Sequence, residues 1–359
     1  MFKTPIANLS KANLFHNLEI IQNQVPKSKI TAMIKANAYG HGIVEVAKIL
    51  EDKVYSLGVA RIDEALKLRN AGIKTPITLA EGVFTAEDLM VASLQNFHVV
   101  FHNQNQIFWL KNSKLPKSIT AWIKINTGMN RLGFNNEDGK IAYQILENHL
   151  DVEKPIGVMS HFAYADEPAH PLNEKQINDF ENFTKDLPVI KSLNNSAGIF
   201  GFKNSSYDVI RPGLALYGAS PLNNTSAISL NLKPVSTIKT SLIAIHDLKA
   251  GDTVGYGTRY ICKNNIKIGV AAIGYGDGYS RTILDGASVL VNGKKCNLAG
   301  RVSMDMITID LTNSPEAVIG DEITLWGEDL PIEDIIKYSS CSAYDLFCGI
   351  QERVKSIWK

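Results

Sequence analysis

Ile30-Thr31-Ala32-Met33-Ile34, followed by Lys35-Ala36-Asn37-Ala38-Tyr39-Gly40-His41-Gly42, is the stretch on which the reading turns. A short apolar run that ends in a glycine-bearing turn reads as a buried strand. The residues that follow, Ile43, Val46, Ala47 and Leu50, have the spacing of one buried helix face. The same signal recurs downstream, with apolar runs at Tyr55–Val59, Pro76–Ala80, Phe97–Phe101, Ile119–Ile125, Ile156–Ser160, Val189–Leu193 and Asp208–Ile210. Helical patterns such as Ala142, Ile145 and Leu146 lie between them. Parallel strands need such crossovers, so eight strand-helix units within about 210 residues predict an N-terminal (β/α)8 barrel.

Beyond about Pro234 the character changes to β-branched runs and tight turns. The hairpin Val289–Leu298 turns at Asn292-Gly293, a pair that accepts the positive φ angles of a type I′ turn. The fold class expected is therefore α/β plus all-β. Residues 1–233 would form the barrel and residues 234–359 a mostly β-strand domain.

A length of 359 residues fits about two domains. The 37 basic and 36 acidic residues are interspersed and leave a net charge of +1. No basic surface is offered to nucleic acid or to anionic lipid, and a small-molecule partner is expected. Met1–Leu18 mixes polar with apolar residues and lacks a signal-peptide core, and no apolar run reaches membrane-spanning length. Cys262, Cys296, Cys341 and Cys348 show no regular spacing, as expected of reduced thiols in a cytoplasm.

Barrel enzymes place their chemistry at the C-terminal ends of the strands. Lys35 ends the first run, and a lysine there, beside a glycine-rich turn, suits an amine that forms an imine. The fifth run leads to Asn126–Gly133, which contains Arg131, and the sixth to His161. Asn195-Ser196 follows the seventh run and Arg211-Pro212-Gly213 the eighth, the two loops where barrels often bind phosphate. No lysine-rich clamp is present, so a phosphate would meet mainly neutral donors. Lysine, barrel position and phosphate loops together suggest pyridoxal 5'-phosphate.

The segment Lys35–Gly42 resembles the cofactor-lysine motif of alanine racemases. Further similar segments are Lys124–Phe134, Met159–Ala163, Asn195–Gly198, Ile210–Gly218, Gly255–Gly257, Gly274–Arg281 and Gly300–Asp310. The resemblance implies a homodimer that interconverts L- and D-alanine by two bases and supplies D-alanine to the bacterial cell wall. Lys35 would hold the cofactor covalently and act as one base, with Tyr256 of the second subunit as the other. Tyr39, Ser196, Gly213, Leu214 and Tyr344 would hold the phosphate. His161, Asn195 and Arg211 would line the ring, and Arg131 would contact its phenolic oxygen and the substrate carboxylate. Met304 and Tyr275 would shape the entrance from the second subunit. Lys124 by itself reads most simply as a strand lysine paired with an acid, whereas the resemblance implies a carbamylated lysine that faces Arg131.

Arg211 has a chemical meaning of its own, because a guanidinium can only donate hydrogen bonds. Facing a pyridine nitrogen it would keep that nitrogen unprotonated and weaken the ring as an electron sink, which suits racemisation over side reactions. The chain departs from the family pattern at Asn126, Gly276 and Leu214-Ala215, where Asp, Ala and bulkier pairs are common; none removes a group the chemistry needs. Alternatives remain at this level: a non-catalytic pyridoxal phosphate carrier on a similar barrel, or a related decarboxylase or racemase of larger amino acids. His161, Asp166, Glu167 and His170 match no metal-ligand spacing, and Pro168 among them reads as a loop, so no metal is expected.

Overall fold

The computed structural model describes residues 4–202 and 207–359. After β1 (Ile6–Leu9) come β2 (Lys29–Met33), β3 (Ser56–Val59), β4 (Ile77–Leu79), β5 (Phe97–Phe101), β6 (Ile119–Lys124), β7 (Val152–Met159), β8 (Ile190–Ser192) and β9 (Val209–Ile210). The last eight pair in parallel in the order β8-β7-β6-β5-β4-β3-β2-β9. The seam between β8 and β9 is drawn shut by a bridge between Asn195 and Arg211 and by the Ser192 hydroxyl, which donates to Val209 O at 2.7 Å. Every apolar run read from the sequence overlaps one of these strands, and the expected barrel is present.

Successive strand residues point to opposite faces, so alternate positions fill the barrel. Val100, Trp122, Met159 and Val209 form one apolar cluster inside it. Below them a polar chain crosses four neighbouring strands. Thr31 Oγ1 lies 2.7 Å from Ser56 Oγ, which lies 3.1 Å from Thr78 Oγ1, and His98 Nδ1 follows at 3.4 Å. Burial brings the His98 imidazole down to about 4, so it is neutral in this chain near pH 7.

The second unit comprises β10 (Ser236–Leu248), β11 (Thr253–Val254), β12 (Tyr260–Ile261), β13 (Ile266–Ala271), β14 (Ser288–Val291), β15 (Lys294–Leu298), β16 (Ile307–Asp310), β17 (Glu322–Trp326) and β18 (Lys355–Trp358). The long β10 pairs with β17 over Ile238–Ser241 and with β13 over Leu242–Leu248, its register shifting between Leu242 and Ala244. That change of partner closes β10, β13, β16, β15, β14 and β17 into a ring. The hairpin of β14 and β15 turns at Asn292 (φ 47°) and Gly293 (φ 80°), both positive as that turn type requires.

One strand of the N-terminal stretch lies outside the barrel sheet. β1 does not join the barrel; it pairs antiparallel with β10 and parallel with β18. Its buried Ala7 and Leu9 complete the second sheet, which leaves the barrel to begin with β2.

Gly157 on β7 faces the Trp122 indole, and a Cβ there would stand 2.2 Å from the ring. Gly157→Val should therefore overpack the barrel and lower stability by about 3 kcal/mol. Urea denaturation would read this as a lower midpoint, and an unchanged midpoint would contradict the packing described.

Candidate active site

The strand ends open on a cavity of about 430 Å³. Lys35, Tyr39, Arg131, His161, Asn195, Ser196, Arg211, Gly213, Leu214 and Tyr344 all line it, from five different connections and the helix Ala343–Gly349. Sequence reading had singled out each of these.

Lys35 opens an unusual turn. Ala36, Asn37, Ala38 and Tyr39 have φ between 51° and 55°, a run of left-handed backbone that ends at Gly40 (φ 79°). Each such non-glycine residue costs roughly 1–2 kcal/mol, so the surroundings must hold the turn in place. The Asn37 carboxamide accepts from the Ile43 N–H at 3.0 Å, and the Gly42 N–H donates to Asn37 O at 2.9 Å. His41 Nδ1 donates to Tyr39 O at 2.8 Å. Burial lowers this histidine to about 4, so near pH 7 it is a neutral imidazole, and the bond places its proton on Nδ1. Its ring stacks on Tyr217 at 4.5 Å, and Tyr39 stacks on Tyr217 at 4.8 Å. Gly40 meets the Phe347 carbonyl so closely that a Cβ would lie 2.1 Å from the oxygen. The turn is thus clamped between the loop after β9 and a helix of the second domain.

Two short helices begin side by side at the far end of the cavity. Asn195 caps Ser196–Gly201 by accepting from the Gly198 N–H at 2.9 Å, and Gly213 precedes the 3₁₀ turn Leu214–Tyr217. The Ser196 hydroxyl accepts the Gly213 N–H at 2.9 Å. Tyr39 closes this corner, since a Cβ on Gly213 would stand 2.3 Å from its hydroxyl oxygen. Burial raises Tyr39 above the ordinary phenol range, so it is a protonated donor.

Arg211 is buried, with one terminal nitrogen donating to Ser192 Oγ and the other to the carbonyls of Ser160 and Leu193. Burial lowers it only to about 10, so it carries its charge at neutral pH. Lys124 ends β6, and burial, followed by the charges of Arg211, Arg131 and Lys35, brings its amine down to about 8 against the pull of Glu81. The same burial and the same cations hold His161 well below the usual imidazole range. Arg131 rides on a loop that folds back on its own strand. Phe134 N–H donates to Lys124 O at 2.9 Å, and the Asn126 carboxamide accepts from Gly128 at 3.1 Å and Asn130 at 3.0 Å.

Tyr256, Tyr275 and Met304 are not among the residues lining the cavity. They lie on the second domain and are 67%, 38% and 53% exposed. The Gly276 position is tight: a Cβ there would lie 3.0 Å from Met304 O. Of the residues weighed for a metal, His170 caps the helix Pro171–Thr184, while Asp166 and Glu167 accept from the Asn223 carboxamide at 3.0 and 3.1 Å. Among the described residues no helix is long and apolar enough to cross a membrane.

The cavity also holds residues that sequence reading left out. Met33 and Met159 are the inward-facing last residues of β2 and β7, and the two-residue alternation would have flagged them. Glu81 follows directly on the run that forms β4 and has the same strand-end signal. Cys348, on a helix of the second domain, had no local signal.

Comparison with known proteins agrees with this geometry. Residues 9–221 match the alanine racemase N-terminal domain and residues 235–358 the alanine racemase C-terminal domain. The chain is 45% identical to an alanine racemase of Pasteurella multocida over 98% of each chain. It is 42% identical to a biosynthetic alanine racemase of Escherichia coli over 96% of each. Among solved structures, the biosynthetic alanine racemase of Pseudomonas aeruginosa superposes with a TM-score of 0.97 at 35% identity, covering 99% of each chain. That of Acinetobacter baumannii gives 0.93 at 36% identity over the whole of each. Two domain matches that leave almost none of the chain uncovered, together with full-length relatives of the same shape, mean that this chain belongs to the alanine racemase family.

Proposed function

We propose that the protein interconverts L- and D-alanine in this cavity with pyridoxal 5'-phosphate bound to Lys35, as a cytoplasmic enzyme serving bacterial D-alanine supply. One observation carries the reading: Lys35, the Arg211 guanidinium and the paired helix starts at Ser196 and Gly213 line a single cavity. The donor set fits the cofactor. The corner where Gly213 admits no Cβ beside the Tyr39 hydroxyl is a cradle for a phosphate, with the Ser196 hydroxyl, the Leu214 N–H and Tyr344 around it. When bound, pyridoxal phosphate supplies an electron sink that makes the substrate Cα–H acidic.

The chain's residues do the rest. Arg211, fixed by Ser160, Leu193 and Ser192 through its terminal nitrogens, keeps Nε to donate to the ring nitrogen, and its charge denies that nitrogen a proton. His161 and Asn195 flank the ring, His161 as a neutral imidazole. Arg131 draws the substrate carboxylate and the cofactor's phenolic oxygen to one side. Inversion needs a proton taken from one face and another returned to the opposite face. Lys35 Nζ serves one face, and the Tyr256 phenol of a second copy serves the other. In a two-fold dimer the exposed Tyr256, Tyr275 and Met304 of each second domain would cover the other subunit's barrel mouth.

Racemisation of a panel of L-amino acids in deuterated water tests the function. Alanine should be turned over fastest, with one deuterium gained at Cα. Release of carbon dioxide in place of inversion, or no turnover of any amino acid, would contradict it. Borohydride reduction and peptide mapping test the attachment separately: label should fall on Lys35 and vanish in Lys35→Ala, and label on another lysine would remove Lys35 from its role.

Lys124 is the cation beside Arg131 that we infer to be carbamylated. With its amine brought to about 8, a substantial neutral fraction is available near pH 8 to attack carbon dioxide, forming the N–C bond and releasing one proton. The carbamate would replace a positive charge among Arg211, Arg131 and Lys35 with a negative one. Protein equilibrated with 13C-bicarbonate should show a carbamate resonance that strengthens as pH rises through about 8 and is missing from Lys124→Ala. A spectrum without that resonance at any pH would leave Lys124 as a free amine.

A further inference from the structure

β2 and β3 are hydrogen-bonded neighbours, and their ladder runs out at the residues that matter most for Lys35. Ile34 N–H donates to Gly58 O at 2.8 Å, and this is the last regular rung. In a parallel ladder the next two rungs would be Ala60 N–H to Ile34 O and Ala36 N–H to Ala60 O. Neither carbonyl is free. Ile34 O takes the Ala38 N–H at 2.8 Å, as the left-handed turn requires, and Ala60 O takes the Glu81 N–H at 3.2 Å.

The two displaced N–H groups meet in one side chain. Glu64 Oε1 accepts from Ala36 N–H at 2.7 Å, and Glu64 Oε2 accepts from Ala60 N–H at 2.8 Å and, more weakly, from Arg61 N–H at 3.4 Å. Glu64 is the third residue of the helix Ile62–Asn70, a position from which a glutamate ordinarily reaches back to cap only its own helix. Here one carboxylate oxygen caps that helix and the other leaves it to hold the neighbouring loop. The amide it holds belongs to the Lys35–Ala36 peptide, so the carboxylate fixes the plane that sets the backbone torsion of Lys35. It also gives an acceptor to the first N–H of a left-handed turn that has no partner for it within the turn.

We propose that Glu64 is a positioning residue for Lys35: by replacing the two missing rungs it holds the left-handed turn and so aims the lysine side chain into the cavity. The proposal rests on Lys35 being the cofactor lysine, and it adds a residue that touches neither cofactor nor substrate. It also explains why a carboxylate is required. Two acceptor oxygens are needed for N–H groups on different loops, and a carboxamide offers one oxygen and an NH₂ that opposes the other donor.

The test compares Glu64→Gln and Glu64→Ala with the wild-type holoenzyme. Glu64→Gln, which loses one of these charge-assisted hydrogen bonds, should lower kcat about tenfold, and Glu64→Ala, which loses them all, at least as much, with KM for alanine changed less than about twofold in both. Release of the cofactor into hydroxylamine should be faster by a similar factor, read by absorbance and independent of turnover. Thermal unfolding is measured alongside. A Glu64→Gln variant that melts lower yet keeps wild-type kcat and cofactor release would show that Glu64 only caps its helix, and the proposal would fail. Should neither variant fold, hydrogen exchange on the wild type decides: the Ala36 amide should be protected, and free exchange there would overturn the assignment. Borohydride label on a lysine other than 35 would overturn the cofactor reading itself, whereas label on Lys35 with unaffected Glu64 variants would overturn only the positioning role.

Discussion

Because the eight barrel strands run parallel, all of their C-terminal ends face the same rim, and everything chemical in this protein depends on that constraint. Residues as far apart in the chain as Lys35, Lys124, His161 and Arg211 meet there because each stands at or just beyond a strand end. Closure at the β8–β9 seam matters most. The bridge between Asn195 and Arg211 brings together the two loops that carry the paired helix starts. The same seam feeds Arg211 inward, where backbone carbonyls and a hydroxyl receive its charge.

The rim is strongly cationic for its size. Lys35, Lys124, Arg131 and Arg211 share the cavity, with Glu81 the carboxylate that lines it. Such a cluster pays a desolvation and repulsion cost that an anionic occupant relieves. A phosphate at one end and a carboxylate at the other would supply that relief. The low-lying His161 records the same field, since an imidazole among these cations resists a further proton. A carbamate on Lys124 would ease the repulsion further.

Much of this was legible in the sequence. The eight runs were readable because buried parallel strands are short, apolar and separated by helical spacing, and the rim residues were readable because they stand at the ends of those runs. The β14–β15 hairpin was readable from Asn292-Gly293 alone. The place of β1 was not: a four-residue strand of mixed character carries no mark of which sheet will accept it, and its partners β10 and β18 lie more than two hundred residues away. Glu64 was hidden for a related reason. In sequence it reads as an ordinary helix-start acid, and its second oxygen gains meaning only when the ladder beside it fails. Tyr256, Tyr275 and Met304 came from resemblance and stand outside the cavity of a single chain, as the proposed site shared between two copies would require.

The central claim is that each site joins Lys35 of one chain to Tyr256 of another. Lys35→Ala and Tyr256→Phe homodimers should each be nearly inactive. When the two are mixed in equal amounts under conditions that allow subunit exchange, half of the dimers carry one intact and one doubly altered site. Activity should then return to about a quarter of the wild-type level. No recovery, with exchange of subunits demonstrated independently, would mean that both bases come from the same chain and would contradict the shared site.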